Sequence, residues 1–195
     1  NRIYTCRRLR LLKGEALFGA NGSGKSNLIK ALRFVQDVQR EGFPRGFSNS
    51  YYRLNEDRRY TPSEFEIEFL CNDKRLCFGF SAVLYTGSIQ KEWLYEITPS
   101  GLKKSLYERS VIDEIFTIGE YFKGKEAIDK LKSYGEDSVN DHEMLFLTII
   151  NKSKGKMFLD YPELSILNAI DEWFKRKLII SFPEDMLKGY PYFSD

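Results

Sequence analysis

The sequence has little of the residue types on which many catalytic and metal sites depend. Its 195 residues include one histidine, His142, and three cysteines, and no two cysteines stand at C-x-x-C spacing. Zinc sites and thiol catalysis are therefore poorly supported. Cys71 and Cys77 flank the residues NDKR and either face each other across a hairpin or stay as buried free thiols. We expect free thiols in a cytosolic chain.

Long apolar runs and a one-sided charge are missing as well. No stretch approaches the ~20 apolar residues of a membrane span, and the first residues, NRIYTCRRLRLL, lack the apolar segment of a secretory signal. We therefore expect a cytoplasmic protein that does not associate with membranes. The net charge of +2 does not support DNA binding, although it does not exclude DNA as a partner. The chain starts at Asn1 and not at a methionine, which indicates a partial or clipped product.

Glycine, in contrast, is concentrated in one short segment near the amino terminus. Gly19, four further residues and then Gly24-Lys25-Ser26 form the pattern G-x-x-x-x-G-K-[ST] of a phosphate-binding loop. Glycines allow successive backbone N–H groups to converge on phosphate oxygens, and the following helix directs its positive end toward the same point. The pattern predicts that Lys25 reaches the β and γ phosphates and that the Ser26 hydroxyl binds Mg²⁺.

The residues around this loop predict a strand before it and a helix after it. The apolar run Ala16-Leu17-Phe18 suits a buried strand. After the loop, apolar side chains recur with the i, i+4, i+7 spacing of a helix that packs on a sheet. They are Leu28, Leu32 and Val35, with Ile29 and Val38 at the margins.

Residues 62–110 are predicted to form an antiparallel β layer. Residues 1–61, which precede it, hold the loop with its strand and helix, followed by an exposed connection rich in glycine, serine and charge. SEFEIEFL alternates apolar and acidic residues, and RLCFGFSAVLY, KEWLYEI and SLYER come next, separated by short turns. Glu64, Glu66 and Glu68 are interpreted as a solvated strand face and not as metal ligands, because no histidine accompanies them.

Residues 111–195 are predicted to form a helical segment with a terminal strand. EAIDKLKSY, DHEMLFLTIIN and LSILNAIDEWFKRKL have helical patterns, and LIISF suits a buried strand. The third helix carries one apolar face, and its basic carboxyl end favours the helix dipole. The apolar face consists of Ile166, Ile170, Trp173 and Phe174. His142, beside Asp141 near a helix start, is assigned a capping or surface role.

The segment LFGANGSGKSNLIKAL resembles the nucleotide-binding start of ABC/SMC-like ATPases of the AAA family, which are P-loop NTPases. The later segments, from PSEFEIEFL to WFKRKL, resemble the prokaryotic branch linked to restriction and abortive infection, of the RloA or AbiL kind. The resemblance runs from about Leu12 to Tyr192. It implies an α/β fold, an ABC-ATPase-like core in which the antiparallel meander is inserted after the first helix. It also implies that the chain is the amino-terminal part of such an ATPase.

The resemblance implies a site with ATP and Mg²⁺ as cofactors. In that site Lys25 is the catalytic residue, Ser26 is the metal ligand, and Asn21 and Asn27 make secondary contacts. The implied nucleotide contacts are Gly19, Ala20, Asn21, Gly22, Ser23, Gly24, Lys25, Ser26 and Asn27.

Other parts of an ABC-type site are not visible in the sequence. There is no apolar strand ending in Asp-Glu, no signature motif and no switch histidine, and the acids Glu184 and Asp185 are weak candidates because they follow Pro183. The resemblance implies a homo-oligomer, a nucleotide-sandwich dimer, that controls an effector nuclease in anti-phage defence. Two alternatives are an SMC- or RecF-like DNA-repair ATPase and a non-hydrolysing, nucleotide-gated scaffold. A long coiled coil or a strongly basic face would favour the first, and the sequence shows neither.

Overall fold

A computed structural model describes residues 3–6, 9–12, 18–20, 22, 24–45, 58–153 and 157–180 of the chain. In these ranges the chain is mixed α/β. Strands β1 (Ile3–Cys6) and β2 (Leu9–Leu12) form an antiparallel pair. Helix α1 (Lys25–Glu41) comes directly after the glycine-rich loop, as predicted.

The main sheet is an antiparallel meander of five strands in chain order. The strands are β3 (Ser63–Cys71), β4 (Lys74–Val83), β5 (Ser88–Ile97), β6 (Lys103–Ser110) and β7 (Ile115–Ile118). Asn72 and Asp73, which join β3 to β4, have φ angles of 50° and 58°, as a tight hairpin turn requires. Because the strands within the described ranges pair only antiparallel, the ABC-ATPase-like core stays a prediction.

Strand β7 extends the sheet beyond its predicted limit. The sequence pattern ends the β layer at residue 110 and assigns residues 111–195 to helices, but Ile115–Ile118 pairs with Tyr107–Ser110. A strand of four residues is too short to show a clear alternation of apolar and polar side chains. This is the physical reason why the pattern did not reveal it.

Within the described ranges, five helical pieces come after the sheet. They are α2 (Lys125–Asp137), α3 (Phe146–Ser153), α4 (Met157–Asp160), a 3₁₀ turn (Pro162–Leu164) and α5 (Ser165–Glu172), which continues into a π-helix (Trp173–Lys177). All three predicted parts of the chain contribute side chains to one hydrophobic core. None of the helices among the described residues is long and apolar enough to cross a membrane.

Aromatic contacts place the helices on one face of the sheet. The ring of Phe34 on α1 lies 4.9 Å from Phe65, and Phe174 of the π-helix lies 5.3 Å from Phe78. Phe65 on β3 pairs with Phe80 on β4, and Phe78 lies two residues before Phe80. The side chains of Phe65 and Phe78 therefore point to the same side of the sheet. The predicted apolar face of the last helix is confirmed, since three of its four side chains are buried and Trp173 stacks on the sheet.

On the other face of the sheet, strand β3 presents a solvated row of glutamates, as predicted. Glu64, Glu66 and Glu68 are exposed, and Glu66 pairs with Lys103 at 3.2 Å. Cys77 is buried beneath these side chains as a free thiol. Burial, together with the hydrogen bond and charge of Glu66, raises the pKa of Cys77 to about 12. Such a thiol stays protonated at neutral pH, so it does not act as a nucleophile.

The two described cysteine side chains do not face each other. Cys71 pairs across the hairpin with Lys74, while Cys77 pairs with Glu68. Both are buried and free, which confirms the prediction of free thiols.

A buried ion pair joins the helices to the sheet. The carboxylate of Glu92 on β5 and the guanidinium of Arg109 on β6 lie 3.3 Å apart, and each residue is 1% exposed. Glu92 also accepts hydrogen bonds from the Tyr107 hydroxyl, at 2.6 Å, and from the backbone N–H of Phe146, at 2.7 Å. Burial and the charge of Glu92 raise the pKa of Tyr107 well above its usual value, so its hydroxyl stays a donor. Arg109 donates to two backbone carbonyls of the segment before α3.

The predicted strand LIISF is not found in its described part. Residues 178–180 have no regular structure, and Ile179 is 79% exposed. The carbonyl of Ile180 accepts a hydrogen bond from the side chain of Arg33, at 2.5 Å, and so faces α1. Ser181 and Phe182, the rest of this segment, lie outside the described residues.

Candidate functional site

The glycine-rich loop adopts a backbone conformation that requires glycine. Gly22 has a φ of 83° and Gly24 a φ of 90°, in the left-handed region that residues with a Cβ rarely adopt. Apart from the glycine itself and its chain neighbours, no atom of the described residues lies within 4 Å of where a Cβ would stand on either residue. The backbone conformation itself, and not crowding, therefore accounts for glycine at both positions. Asn21 and Ser23 lie outside the described residues.

The start of α1 is suited to an anion. The helix begins at Lys25, directly after Gly24, without a side-chain cap and without an acidic residue in its first turn. The first N–H groups of a helix have no acceptor within the helix and carry the positive end of its dipole. No carboxylate of the first turn neutralises that positive end, so the N–H donors and the dipole favour a negatively charged ligand.

The Lys25 side chain folds back over the beginning of the loop. Its Nζ donates to the carbonyl oxygens of Gly19, at 2.5 Å, and Ala20, at 2.7 Å. These two hydrogen bonds connect the end of the loop to its start. They also hold a full positive charge beside the glycine backbone, where a phosphate group could exchange for the carbonyl oxygens.

The remaining described residues of the predicted site are accessible. Ser26 and Asn27 are exposed in the first turn of α1. The structure thus brings seven of the nine predicted residues into one exposed loop and helix start: Gly19, Ala20, Gly22, Gly24, Lys25, Ser26 and Asn27. Their roles in binding nucleotide and metal stay predictions.

Carboxylates are missing from the loop and from the first turns of α1. The first acidic residue of the helix is Asp37, twelve positions after Lys25 (37 − 25) and thus about 18 Å along the axis. Among the described residues no cluster of three or more histidine, cysteine or acidic side chains could hold a metal ion. The acids Glu184 and Asp185 lie outside the described ranges.

The single histidine has the surface position that the sequence predicted. His142 is exposed, and its Nδ1 lies 3.4 Å from the hydroxyl of Ser88. The neighbouring Asp141 carboxylate accepts the backbone N–H groups of Glu143, at 2.9 Å, and Met144, at 2.8 Å. Asp141 therefore caps this turn. Of the two roles predicted for His142, the exposed position fits the surface role.

Three polar residues of α1 have contacts that the sequence pattern did not predict. Arg33, Gln36 and Gln39 all donate hydrogen bonds to residues within 171–180. Gln36 is 4% exposed and Gln39 is fully buried. The available signal was the presence of two glutamines on the otherwise apolar face of an amphipathic helix. A buried amide needs hydrogen-bond partners, so these glutamines indicate polar contacts with another segment.

A family comparison decides how this loop and sheet are classified. The family model described as "AAA domain, putative AbiEii toxin, Type IV TA system" matches residues 16–119, which is 104 residues (119 − 16 + 1) of the 195. The chain belongs to this family of AAA domains. Searches among curated proteins and among solved structures gave no match.

The AAA domain of this chain includes both the glycine-rich loop and the whole five-stranded sheet. The matched span begins before Phe18 and ends one residue after β7. The matched residues thus contain the antiparallel meander as well as the loop. Membership gives the chain a nucleotide-binding, ATPase-like function, and the predicted AAA affiliation is confirmed at that level.

Proposed function

We propose that this AAA domain binds ATP with Mg²⁺ at residues 19–27, as the nucleotide-binding part of an ABC-type ATPase. One observation carries the proposal. Two glycines with positive φ, the Lys25 ammonium and a helix start without acidic residues are all found within one exposed loop. Each of these features favours phosphate oxygens.

The proposed roles derive from the chemistry of the side chains. Lys25 exchanges the carbonyl oxygens of Gly19 and Ala20 for oxygens of the β and γ phosphates. The exposed Ser26 hydroxyl is a ligand for the cation, and Asn27 makes a secondary contact. Bound Mg²⁺ supplies charge neutralisation at the same phosphate oxygens.

Hydrolysis needs groups that the loop does not contain. Phosphoryl transfer depends on a positioned water and on charge stabilisation around the γ-phosphate. We propose that the rest of the full-length ATPase, of which this chain is the nucleotide-binding part, supplies them, either within one copy or from the second copy of a nucleotide-sandwich dimer. The dimer would control an effector nuclease in anti-phage defence. The family description names a toxin of a type IV toxin–antitoxin system, which supports a defence context.

Two other functions use the same loop and differ in the step after nucleotide binding. An SMC- or RecF-like DNA-repair ATPase would need a contact with DNA, which the net charge of +2 does not support. A non-hydrolysing scaffold would bind ATP and never release phosphate. Phosphate release by the full-length protein would exclude the scaffold.

The chain of 195 residues is expected to bind a non-hydrolysable ATP analogue with Mg²⁺ but to hydrolyse ATP at no more than the background rate. The reason is that the loop holds phosphates but offers no carboxylate to orient water. Calorimetry measures binding, and a phosphate-release assay with Lys25→Ala as the blank measures turnover. Absence of binding would refute the proposed function. Turnover that disappears in the Lys25 variant would reveal a catalytic carboxylate in this chain, with Glu184 and Asp185 as the first candidates to replace.

Ser26→Ala is expected to weaken nucleotide binding in Mg²⁺ more than binding in the presence of a metal chelator. The hydroxyl is assigned to the cation and not to the phosphates, so its loss removes a metal ligand only. The measurement is the dissociation constant of the ATP analogue under both conditions. Equal losses in the two conditions would remove Ser26 from the metal site. The substitution lies on an exposed position and should leave the fold unchanged.

A further inference from the structure

Helix α1 is joined to the last described helix by a row of polar contacts. Arg33 donates to the carbonyl of Ile180, Gln36 to residues of the π-helix, and Gln39 to the carboxylate of Asp171, at 3.0 Å. The three donors are spaced by three residues and so lie along one side of α1. The two segments are antiparallel. Asp171 contacts Gln39, and Ile180 contacts Arg33, which is closer to the loop.

The π-helix explains why a glutamine lies in this row. In an α-helix the N–H of Leu178 would bond to the carbonyl of Phe174, four residues earlier. Here it bonds to Trp173, five residues earlier, at 3.0 Å. The Phe174 carbonyl is thereby released from its α-helical partner, and it accepts the amide of Gln36 at 2.7 Å.

The same amide also holds the end of the π-helix. Nε2 of Gln36 donates to the carbonyl of Leu178, again at 2.7 Å. Both N–H groups of the buried Gln36 amide therefore donate to carbonyl oxygens of the same turn. The π form is stabilised by a side chain that belongs to the helix of the phosphate-binding loop.

The same residues could form a second arrangement of this turn. Without Gln36, the N–H of Leu178 can return to Phe174, and the π turn tightens into an α turn. An α turn contains one residue fewer than a π turn. The change therefore rotates the following chain by about 100° around the helix axis, the angle per residue of an α-helix. The direction of the chain after Leu178 thus depends on where α1 holds Gln36.

We propose that Gln36 couples nucleotide at the loop to the π turn of residues 173–177. The inference rests on the proposed nucleotide binding. Gln36 lies eleven residues after Lys25 (36 − 25), about 16 Å along the helix, so it acts through α1 and not by touching the ligand. Nucleotide that fixes the start of α1 also fixes the Gln36 amide against its two carbonyls. The Leu178 N–H then leaves the Trp173 carbonyl less often, and the π turn changes to the α turn less often.

The coupling must be mutual. If nucleotide stabilises the π turn through Gln36, then loss of Gln36 weakens nucleotide binding by the same factor. Gln36→Met removes the donor and keeps an unbranched side chain of similar size. Gln39→Met is the matched control, because it makes the same change on the same side of α1 but leaves both carbonyls of the π turn with their partner.

Hydrogen exchange measured by mass spectrometry tests the proposal on the full chain. The probe is the non-hydrolysable ATP analogue with Mg²⁺, and the segment monitored is 173–180. We expect the analogue to slow exchange there by about fivefold or more, the lower end of ordinary coupling between sites. The slowing should persist in Gln39→Met and disappear in Gln36→Met, which should also bind the analogue about fivefold more weakly.

Each outcome of this experiment has one meaning. If the wild-type chain binds the analogue by calorimetry and exchange at 173–180 does not change, the coupling is refuted while the proposed function stands. Equal slowing in wild type and Gln36→Met refutes it too. If the wild-type chain does not bind the analogue, the proposed function fails and the coupling fails with it. Should Gln36→Met not fold, as judged by circular dichroism, the wild-type comparison alone decides.

Discussion

Lys25→Ala is expected to weaken binding of an ATP analogue by about 100-fold or more, which corresponds to roughly 2.7 kcal/mol. In the proposed site Lys25 is the charged donor to the phosphates, and hydrogen bonds to charged groups are among the strongest in proteins. The side chain contacts loop carbonyls and is not part of the hydrophobic core. The fold should therefore survive the substitution. Isothermal titration calorimetry with the analogue and Mg²⁺ measures the effect.

Lys30→Ala is the matched control for this experiment. Lys30 is an exposed lysine of the same helix, so both variants lose one positive charge from α1. If binding depended only on the general positive charge of the helix, the two variants would lose affinity equally, and the specific role of Lys25 would be wrong. Affinity that is unchanged in Lys25→Ala would refute the whole assignment of the loop.

Glu92→Gln is expected to lower the free energy of unfolding by about 3 to 5 kcal/mol, the usual cost of leaving a buried charge without its partner. The variant keeps the shape of the side chain and can still accept a hydrogen bond from Tyr107. It leaves the buried guanidinium of Arg109 without the carboxylate that lies 3.3 Å away. For a chain of this length the midpoint of thermal unfolding should fall by roughly 10 °C.

The exposed ion pair on the opposite face of the sheet supplies the control for stability. Glu66→Gln makes the same chemical change at a carboxylate that pairs with Lys103 at 3.2 Å in contact with solvent. Its expected cost is below about 1 kcal/mol. Urea unfolding monitored by circular dichroism gives both values. If the two variants are equally stable, the buried pair does not hold the helices to the sheet.

Local signals in the sequence were sufficient to predict the loop and most elements of the fold. The glycine spacing around Lys25 predicts the loop and the start of α1, because the positive φ angles of Gly22 and Gly24 favour glycine. The alternation in Ser63–Cys71 gives a strand, because every second side chain points to the core. These features are determined by neighbouring residues, so a single sequence contains them.

The features that the sequence does not reveal depend on partners far along the chain. Nothing near Gln36 indicates that its amide bonds to Phe174, 138 residues away. The buried pair of Glu92 and Arg109 is equally invisible, since charged residues in strands more often face solvent. Likewise, Leu28 belongs to the apolar stripe of α1 but is 48% exposed. The apolar pattern continues toward the loop further than the core of the described residues does.

The two ends of helix α1 thus differ in how deeply they are buried. Its carboxyl half places Phe34, Val35 and Val38 in the core, while its amino half carries the exposed Ser26 and Asn27. Substitutions at the buried positions of the carboxyl half remove core packing, whereas substitutions in the amino half affect side chains that are mostly in solvent. Substitutions that alter the proposed ligand site at the amino end should therefore leave stability almost unchanged, whereas the buried positions toward the carboxyl end should tolerate little variation.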